Sequence, residues 1–310
     1  MERVDLVGVG LNATDTLISV SHLPGPGLKA DVRSISVLPG GQVATAVIAC
    51  QRWGLQTRYV GKLGDDAAGK VHAQAFADAG VEARITTIPD CASAQSFILV
   101  DDRGERTVLW RRDPKLAIDP EDLQHKWIIN ARALLVDGCD TAAATQAAQW
   151  ARSAGIPVIA DLDAAYSGIE TLLENVNYLI VSRDFPERIS GKSDLKGSLP
   201  WLQQRFKSRL AAATLGTEGV LGWDGQQFHY SRAYEVAAVD TTGAGDIFHA
   251  GFVYGLLQGW PMPRILDFAC AAAALNCTGE GARGRIGTLQ EIETLMRSGK
   301  RYAAVYESGQ

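Results

Sequence analysis

The segment that decides the fold lies at residues 240–248 and reads Asp240-Thr241-Thr242-Gly243-Ala244-Gly245-Asp246-Ile247-Phe248. Its small residues at 243–245 lead directly into an apolar run, and the spacing of that run predicts a helix over residues 244–258. The first turn of a helix offers free N–H groups and the positive end of the helix dipole. Small side chains there let an anion approach the backbone closely, so this segment predicts an anion site.

Asp246 falls in the first turn of this predicted helix. A carboxylate repels a bound phosphate, so Asp246 is poorly placed as a simple cap. It is well placed as a base that takes a proton from a hydroxyl about to attack that phosphate. A glycine-rich turn with Asp246 as N-cap is the alternative, and physical argument alone weighs the two evenly. The unperturbed pKa of an aspartate is about 3.9, so Asp246 is expected to be ionised at neutral pH.

The rest of the chain predicts an α/β fold. From residue 130 onward, apolar strand-like and helix-like stretches alternate, which favours a mostly parallel sheet with helices on both faces. Residues 32–38, 95–100 and 106–110 read as strands without helices between them, so we expect a small separate sheet. Residues 1–310 are predicted to form a single α/β domain, with this small sheet inserted at about 12–38 and 93–112.

Composition excludes several classes of protein. Hydrophobic residues make up 46% and charged residues 21% of the 310 residues, which excludes wholesale disorder. The formal charge of −5 gives no basic surface for nucleic acid. The five cysteines contain no Cys-x-x-Cys pair, so free buried thiols in a reducing compartment are expected. No stretch reads as a signal peptide or membrane span, which predicts a cytoplasmic protein without a membrane partner.

Three other glycine-rich segments resemble known motifs but lack the neighbouring secondary structure or residues that those motifs require. Residues 8–13 fit a dinucleotide fingerprint, but a strand rather than a helix is predicted to follow. Residues 64–71 are one residue short of a P-loop, and Val71 stands where a Ser or Thr must reach Mg²⁺. Residues 279–284 follow a helix rather than a strand. We therefore interpret the first as a strand end, the second as a loop capped by Asp65 or Asp66, and the third as a loop.

With these motifs in place, the chain resembles the ribokinase-like sugar kinases, the phosphofructokinase B family, over about residues 4–297. Residues 240–248 resemble the second signature of the family, and residues 40–46 and 60–69 resemble the first. Residues 214–219 resemble its nucleotide loop, and residues 184–187 stand where the family has N-x-x-E. These matches occur independently and in the right order. The resemblance implies a three-layer α/β/α fold with a β-sheet lid.

The resemblance also implies roles for single residues. Asp246 matches the catalytic base, and the backbone of Gly243, Ala244, Gly245 and Asp246 matches the anion hole for the transferred phosphoryl group. On the nucleotide side, Glu187 matches the acid that holds Mg²⁺, and Asp184 replaces the usual Asn. The implied adenine and ribose contacts are Thr214, Gly216, Glu218, Gly219 and Cys270. The implied monovalent-cation site, for K⁺, comprises Asp240, Thr242, Asn276, Gly279, Gly281 and Arg285.

On the sugar side, Asp15 matches the acid that binds sugar hydroxyls, and Gly41 matches a backbone contact. Gln42 and Thr45 replace the usual Asn pair, so the hydroxyl-reading geometry must differ from that of the family. Asp137 matches an acid at a strand end. Gln95 and Arg111 lie on the strands that resemble the lid, which closes over the sugar and pairs subunits into a homodimer.

The function implied is ATP-dependent phosphorylation of a hydroxyl of a small sugar, with ATP and Mg²⁺ as cofactors. Residues 95–96, 104–106 and 274–283 resemble the ketohexokinase and sulfofructose kinase branches, which favours a free ketose. A nucleoside acceptor, a phosphosugar acceptor facing Arg111 and Arg112, and a non-catalytic sugar or nucleotide sensor are alternatives. An NAD oxidoreductase is a further alternative, but it would require a dinucleotide fingerprint at residues 8–13, where the necessary helix is not predicted. The five histidines lack metal-ligand spacing and are interpreted as structural.

Overall fold

A computed structural model describes residues 2–102 and 106–306. Gly104 and Glu105, part of the resemblance to the ketose kinases, lie outside these ranges. The strands are β1 (Val4–Val9), β2 (Ala13–Val20), β3 (Val32–Gly40), β4 (Thr57–Gly64), β5 (Glu82–Ile88), β6 (Gln95–Val100), β7 (Arg106–Arg111), β8 (Ala131–Val136), β9 (Val158–Leu162), β10 (Tyr178–Ser182), β11 (Leu210–Thr214), β12 (Val220–Trp223) and β13 (Phe228–Ser231).

The helices connect these strands and cover the sheet. They are α1 (Gln42–Arg52), α2 (Ala67–Ala79), α3 (His125–Ile129), α4 (Thr141–Ser153), α5 (Ile169–Leu173), α6 (Phe185–Ser190), α7 (Leu195–Phe206), α8 (Ala244–Leu257), α9 (Met262–Asn276) and α10 (Leu289–Ser298). Among the residues described, no helix is both long enough and apolar enough to span a bilayer.

A large sheet forms the centre of the fold. In the described part of the chain its nine strands follow the order β13-β12-β11-β10-β9-β8-β1-β4-β5. The strands from β11 to β5 pair in parallel, and β12 and β13 are antiparallel. This topology confirms the mostly parallel sheet that the alternation of strands and helices predicts. Because parallel strands end at one edge, the residues that follow β1, β8, β9, β10 and β11 meet there.

Helices cover both faces of this sheet. One apolar cluster joins the sheet to α1, α8 and α9 and contains Val47, Phe252 and Phe268. A second cluster on the opposite face joins it to α4, α5 and α7. The strands that are buried on both faces read as continuous apolar runs, as parallel strands do. This packing holds the start of α8 at the edge where the parallel strands end.

The small sheet stands apart from the large one. Its four strands, counted within the described residues, follow the order β3-β2-β6-β7. β2 pairs with β6 in parallel, and the other two pairs are antiparallel. β2 begins at Ala13, shortly after the glycines of residues 8–10, which confirms the prediction that a strand and not a helix follows them.

Local signals account for most of the boundaries. Asp66 caps α2 and accepts a hydrogen bond from Gly69 N at 2.8 Å, which confirms the loop-and-cap interpretation of residues 64–71. Gly80 ends α2 in the left-handed conformation with φ of 75°. β5 and α6 are absent from the sequence prediction. β5 has no buried residue and therefore carries little apolar pattern, and α6 spans only six residues.

Candidate active site

The start of α8 is shaped by Gly243, whose φ of 74° places it in the left-handed region. A Cβ on Gly243 would lie 2.6 Å from Ala282 Cα and closer still to the Ala282 carbonyl. Gly245, in contrast, faces open space, with nothing within 4 Å of an added Cβ. The two glycines therefore have different structural roles. Gly243 allows close packing against the loop after α9, and Gly245 leaves the helix end open.

The N–H groups at this helix end are not equivalent. Ala244 N–H donates to Thr241 O at 3.2 Å, and Ile247 N–H donates to Gly243 O at 2.9 Å. Among the described residues, the N–H groups of Gly243, Gly245 and Asp246 have no acceptor. Ala244 was also predicted to donate to an anion, but its N–H is engaged in the turn, so the free donors are those of the other three residues.

Asp246 sits in a strongly perturbed environment. Its side chain keeps some access to the cleft, but the surrounding protein displaces most of its water. Burial raises the pKa of Asp246 to about 8, and Asp161 adds to the rise, while His249 and Arg283 oppose it. The expectation that Asp246 is simply ionised at neutral pH is therefore wrong. The pKa of Asp246 therefore lies close to the operating pH, where a general base works best.

Asp161 and His249 are site residues that sequence reasoning missed. Asp161 lies in β9 and is 7% exposed, and His249 lies in α8 and is 2% exposed. Their side chains meet behind Asp246, with His249 Nδ1 3.2 Å from Asp161 Oδ2. Asp161 stands near the carboxyl end of a buried parallel strand, and this position is the signal that could have identified it.

Two buried acidic side chains, Asp15 and Asp137, were predicted to contact the sugar. Asp15 in β2 interacts with the Ser96 hydroxyl, and burial raises its pKa to about 6. Asp137 follows β8 and accepts hydrogen bonds from Leu11 N at 2.5 Å and Cys139 N at 3.0 Å. Burial raises the pKa of Asp137 to about 6 as well. Asp137 follows the end of β8 directly, whereas Asp15, expected at the end of the first strand, is the third residue of β2 in the small sheet.

Gly41, Gln42 and Thr45 lie at the start of α1. Gly41 has φ of 88°, and a Cβ there would overlap the backbone of Asn12. Thr45 is fully buried, and its hydroxyl accepts a hydrogen bond from Arg283 Nε at 3.3 Å. Arg283 also donates to Gly40 O at 3.1 Å. Sequence reasoning missed Arg283, which brings a buried positive charge into the electrostatic range of both Asp15 and Asp246.

The predicted lid residues Gln95 and Arg111 face each other across β6 and β7. Arg111 is exposed at the end of β7. Its neighbour Arg112 is already paired, since its guanidinium contacts Asp140 Oδ1 at 2.9 Å and Oδ2 at 2.6 Å. Of the two cations that an anionic sugar substituent was predicted to meet, Arg112 is therefore neutralised within the chain, and Arg111 is exposed.

A cavity of about 330 Å³ opens beside the start of α8. Its lining is mostly apolar and includes both the residues predicted to contact a nucleotide and the helix end itself. Glu218 is not part of this lining and instead pairs with Arg183 at 2.9 Å. The lining residues from the predicted set are Thr214, Gly216, Gly219, Cys270, Ala244 and Gly245.

Asp184 and Glu187 lie at the start of α6, directly after β10. They line a separate cavity of about 470 Å³ together with Arg183 and Lys192. The structure thus places both acids at the same sheet edge as the 330 Å³ cavity but not in its wall. Carboxylate oxygens are the ligands that Mg²⁺ prefers, so the donor chemistry fits that ion.

The predicted monovalent-cation residues are gathered by hydrogen bonds. Asp240 Oδ1 accepts from Thr242 N at 2.9 Å, and Asp240 Oδ2 accepts from Gly281 N at 2.8 Å. Asn276 donates to Thr242 O at 3.3 Å and accepts from Arg285 N at 3.3 Å. Gly279 packs against the backbone of the same loop. These contacts fix the loop after α9 against the turn that precedes α8.

Comparisons with known proteins agree with this arrangement. The sequence profile described as pfkB family carbohydrate kinase matches residues 5–288. The chain belongs to the pfkB family of carbohydrate kinases. It is therefore a carbohydrate kinase with the fold expected from its second signature.

Curated pfkB-like relatives act on different sugars. The 5-dehydro-2-deoxygluconokinase of Geobacillus thermodenitrificans is 25% identical over 321 residues, covering 95% of this chain and 93% of that protein. The ATP-dependent ribose-1-phosphate kinase of Halopiger xanaduensis is 30% identical over 281 residues, covering 87% of this chain and 90% of that protein. A ribokinase candidate from Agrobacterium tumefaciens has a crystal structure that superposes with a TM-score of 0.86, at 29% identity, covering 95% of this chain and 98% of that one.

Proposed function

We propose that this kinase transfers the terminal phosphoryl group of ATP to a hydroxyl of a small, uncharged sugar. One observation carries the proposal: the helix end that lines the nucleotide cavity also bears Asp246, whose pKa responds to Asp15 on the sugar side. Asp246 thus stands between the two half-sites. A base is needed at that position and nowhere else in the cleft.

In the proposed mechanism, Asp246 takes the proton from the attacking hydroxyl. The free N–H groups of Gly245 and Asp246, together with the α8 dipole, stabilise the charge on the transferred phosphoryl group. Asp15 and Asp137 orient the sugar by accepting hydrogen bonds from other hydroxyls. A raised pKa suits Asp246 for this step because a stronger base takes the proton more readily.

ATP would enter through the cavity beside α8, where apolar surface receives the base, and its phosphates would reach the helix end. Asp184 and Glu187 would hold Mg²⁺, in part through water. When bound, Mg²⁺ neutralises charge on the phosphates. The turn containing Asp240 and Thr242 would hold K⁺ and fix the approach of the Arg283 loop. These assignments rest on the family resemblance and on the contacts described above.

An uncharged sugar is favoured over a phosphosugar by the charges that face the site. Asp15, Asp137 and Asp246 are acidic, and Arg112 is paired with Asp140. Arg283 favours the phosphosugar as a second candidate, since a buried guanidinium binds anions well, and the Halopiger relative acts on ribose 1-phosphate by its name. The acceptor panel below separates the two.

We also propose that the small sheet is a lid within a single domain and pairs two copies of the chain. Its strands expose Ile35, Val37, Val108, Leu109 and Trp110, each at least 49% accessible. A cluster of exposed large apolar side chains on a sheet with open edges favours pairing with a second sheet. The cytoplasmic location remains a prediction from the sequence.

The test is ADP release from ATP and Mg²⁺ across ketoses, aldoses, sugar phosphates and nucleosides, with and without K⁺. One free sugar with strong turnover supports the proposal and names the acceptor. Turnover with sugar phosphates alone would favour the second candidate. A complete absence of turnover, with ATP still raising the melting temperature, would contradict a kinase acting on these classes.

A further inference from the structure

A buried imidazole and carboxylate lie directly behind Asp246. His249 is one turn into α8 and points inward against β9 and β10, where only 2% of the residue is exposed. Its Nδ1 lies 2.8 Å from Gly245 O and 3.2 Å from Asp161 Oδ2. Its Nε2 lies 3.2 Å from Ile180 O. Every polar partner of the ring is therefore an oxygen that accepts hydrogen bonds.

This geometry decides the protonation of the ring. A neutral imidazole has one N–H, so either tautomer would point a nitrogen lone pair at a carbonyl oxygen. A doubly protonated ring donates on both sides and faces the Asp161 carboxylate with a positive charge. Asp161 Oδ2 is buried and has no hydrogen-bond partner among the described residues, so the imidazole 3.2 Å away is the group placed to compensate its charge. An unpaired buried carboxylate is costly, and a facing cation offsets that cost.

Burial opposes this state. Desolvation lowers the pKa of His249, while the carbonyls of Gly245 and Ile180 and the charge of Asp246 raise it. Desolvation also raises the pKa of Asp161, with Asp163 and Asp137 adding to the rise. Two buried charges persist only where each is compensated. Here three oxygen atoms lie within 3.2 Å of the ring nitrogens, and the carboxylate faces Nδ1 of the ring.

We propose that His249 is an imidazolium paired with Asp161, and that it is a positioning residue for phosphoryl transfer. This inference rests on the proposed role of Asp246. The Gly245 carbonyl that His249 holds belongs to the same peptide unit as the Asp246 N–H. Because the peptide is planar and trans, fixing the carbonyl fixes the opposite direction of that N–H, which is one of the free donors at the helix end.

The pair also sets the electrostatics of the base. Asp161 opposes ionisation of Asp246, and His249 favours it. As an ion pair, the two act on the pKa of Asp246 in opposite directions and would largely offset each other. Other charged groups that act on Asp246 are Asp15 on β2 and Arg283 in the loop after α9. These stay unchanged in the variants below.

The first test needs no substrate. The chain contains five histidines, so ring-¹⁵N-labelled protein gives few signals, and substituting the other four assigns His249 by elimination. At pH 7 we expect both ring nitrogens of His249 to show the shift of a protonated nitrogen. A single protonated nitrogen would overturn the proposal. Because this readout is independent of turnover, its result stands even where the proposed function fails.

The second test is a double-mutant cycle on the pH dependence of kcat with the best acceptor. In Asp161→Asn, the charge of Asp246 and the carbonyls of Gly245 and Ile180 still favour the imidazolium. Asp246 then becomes the counterion of His249, so we expect the acidic limb to move down by about one pH unit, a roughly tenfold gain on that limb. In Asp161→Asn/His249→Asn, the shift should disappear. No shift in the single variant would overturn the proposal. A shift that persists in the double variant would do the same, since Asp161 would then act alone.

A matched control is available elsewhere in the fold. His229 and Asp224 form a second imidazole–carboxylate pair, 2.7 Å apart, on the β12–β13 hairpin. Asp224→Asn and Asp224→Asn/His229→Asn should leave the pH profile of kcat unchanged. Any shift in the Asp161 series that the Asp224 series reproduces would show a general effect of the substitutions and overturn the proposal.

Discussion

Gly243 and Gly245 lie two residues apart, and the structure predicts opposite outcomes when each becomes alanine. Gly243→Ala places a Cβ into the Ala282 backbone and leaves an alanine at φ of 74°. The left-handed conformation costs about 1–2 kcal/mol for an L-residue, and overpacking against fixed backbone adds about 1–3 kcal/mol. We therefore expect a loss of about 2–5 kcal/mol in the free energy of unfolding.

Gly245→Ala meets nothing within 4 Å and lies inside α8. Alanine is a better helix former than glycine, so this variant should gain about 0.5–1 kcal/mol in stability. Its methyl group occupies the open helix end, so turnover should fall although the protein is more stable. Gly243→Ala should lose activity together with stability.

Denaturant unfolding and ADP release on the two variants test this reasoning. The expected result is a lower midpoint with Gly243→Ala, a higher midpoint with Gly245→Ala and lower turnover in both. Wild-type stability in Gly243→Ala would refute the claim that the loop after α9 packs directly on the helix end. Full activity in Gly245→Ala would refute the claim that an anion approaches the backbone there.

Three further outcomes follow from the same geometry. Because burial raises the pKa of Asp246 to about 8, and the base must be ionised, kcat/KM should rise with pH from 6 to 9 with a limb near 8; a limb near 4 would contradict this. The unfolded chain loses the Asp246 proton near pH 4, whereas the folded protein keeps it up to about pH 8. Wild-type stability therefore falls as the pH rises from about 4 to about 8. Asp246→Asn should accordingly increase the free energy of unfolding at pH 8, by on the order of 1–2 kcal/mol after allowance for water in the cleft, but not at pH 4. Thermal melts at the two pH values measure this as a higher melting temperature at pH 8 alone, and equal gains at both would count against the raised pKa. Cys270→Phe fills the wall of the 330 Å³ cavity, so ATP should no longer raise the melting temperature; an unchanged ATP effect would place the nucleotide elsewhere.

The sequence was sufficient to predict the large sheet, the strands of the small sheet and the start of α8. Each rests on a local pattern: alternating apolar runs, a hairpin without an intervening helix, and small residues that lead into an apolar helix. β5 was not predicted because it lies at a sheet edge and has no buried residue. A strand that is stabilised mainly by its neighbours has little hydrophobic pattern in its own sequence.

Asp161, His249 and Arg283 could not be placed from the sequence, because three separate chain segments bring them together. Asp161 reaches the site through the neighbouring positions of β8, β9 and β10. His249 looks like one more apolar-face residue of α8. Arg283 reaches the sugar side only because the loop after α9 packs on Gly243. The pKa of Asp246 depends on all three, so the expectation of an ordinary aspartate failed for the same reason.

The central claim is that Asp246 is the base for phosphoryl transfer. It is tested most directly by single-turnover ADP release from ATP and Mg²⁺ with the best acceptor, in the wild type and in Asp246→Asn. Asn has the same shape and cannot take the proton, so turnover should fall by about 10²–10⁴-fold, while the ATP-induced rise in melting temperature persists. Near-wild-type turnover in Asp246→Asn would contradict the account.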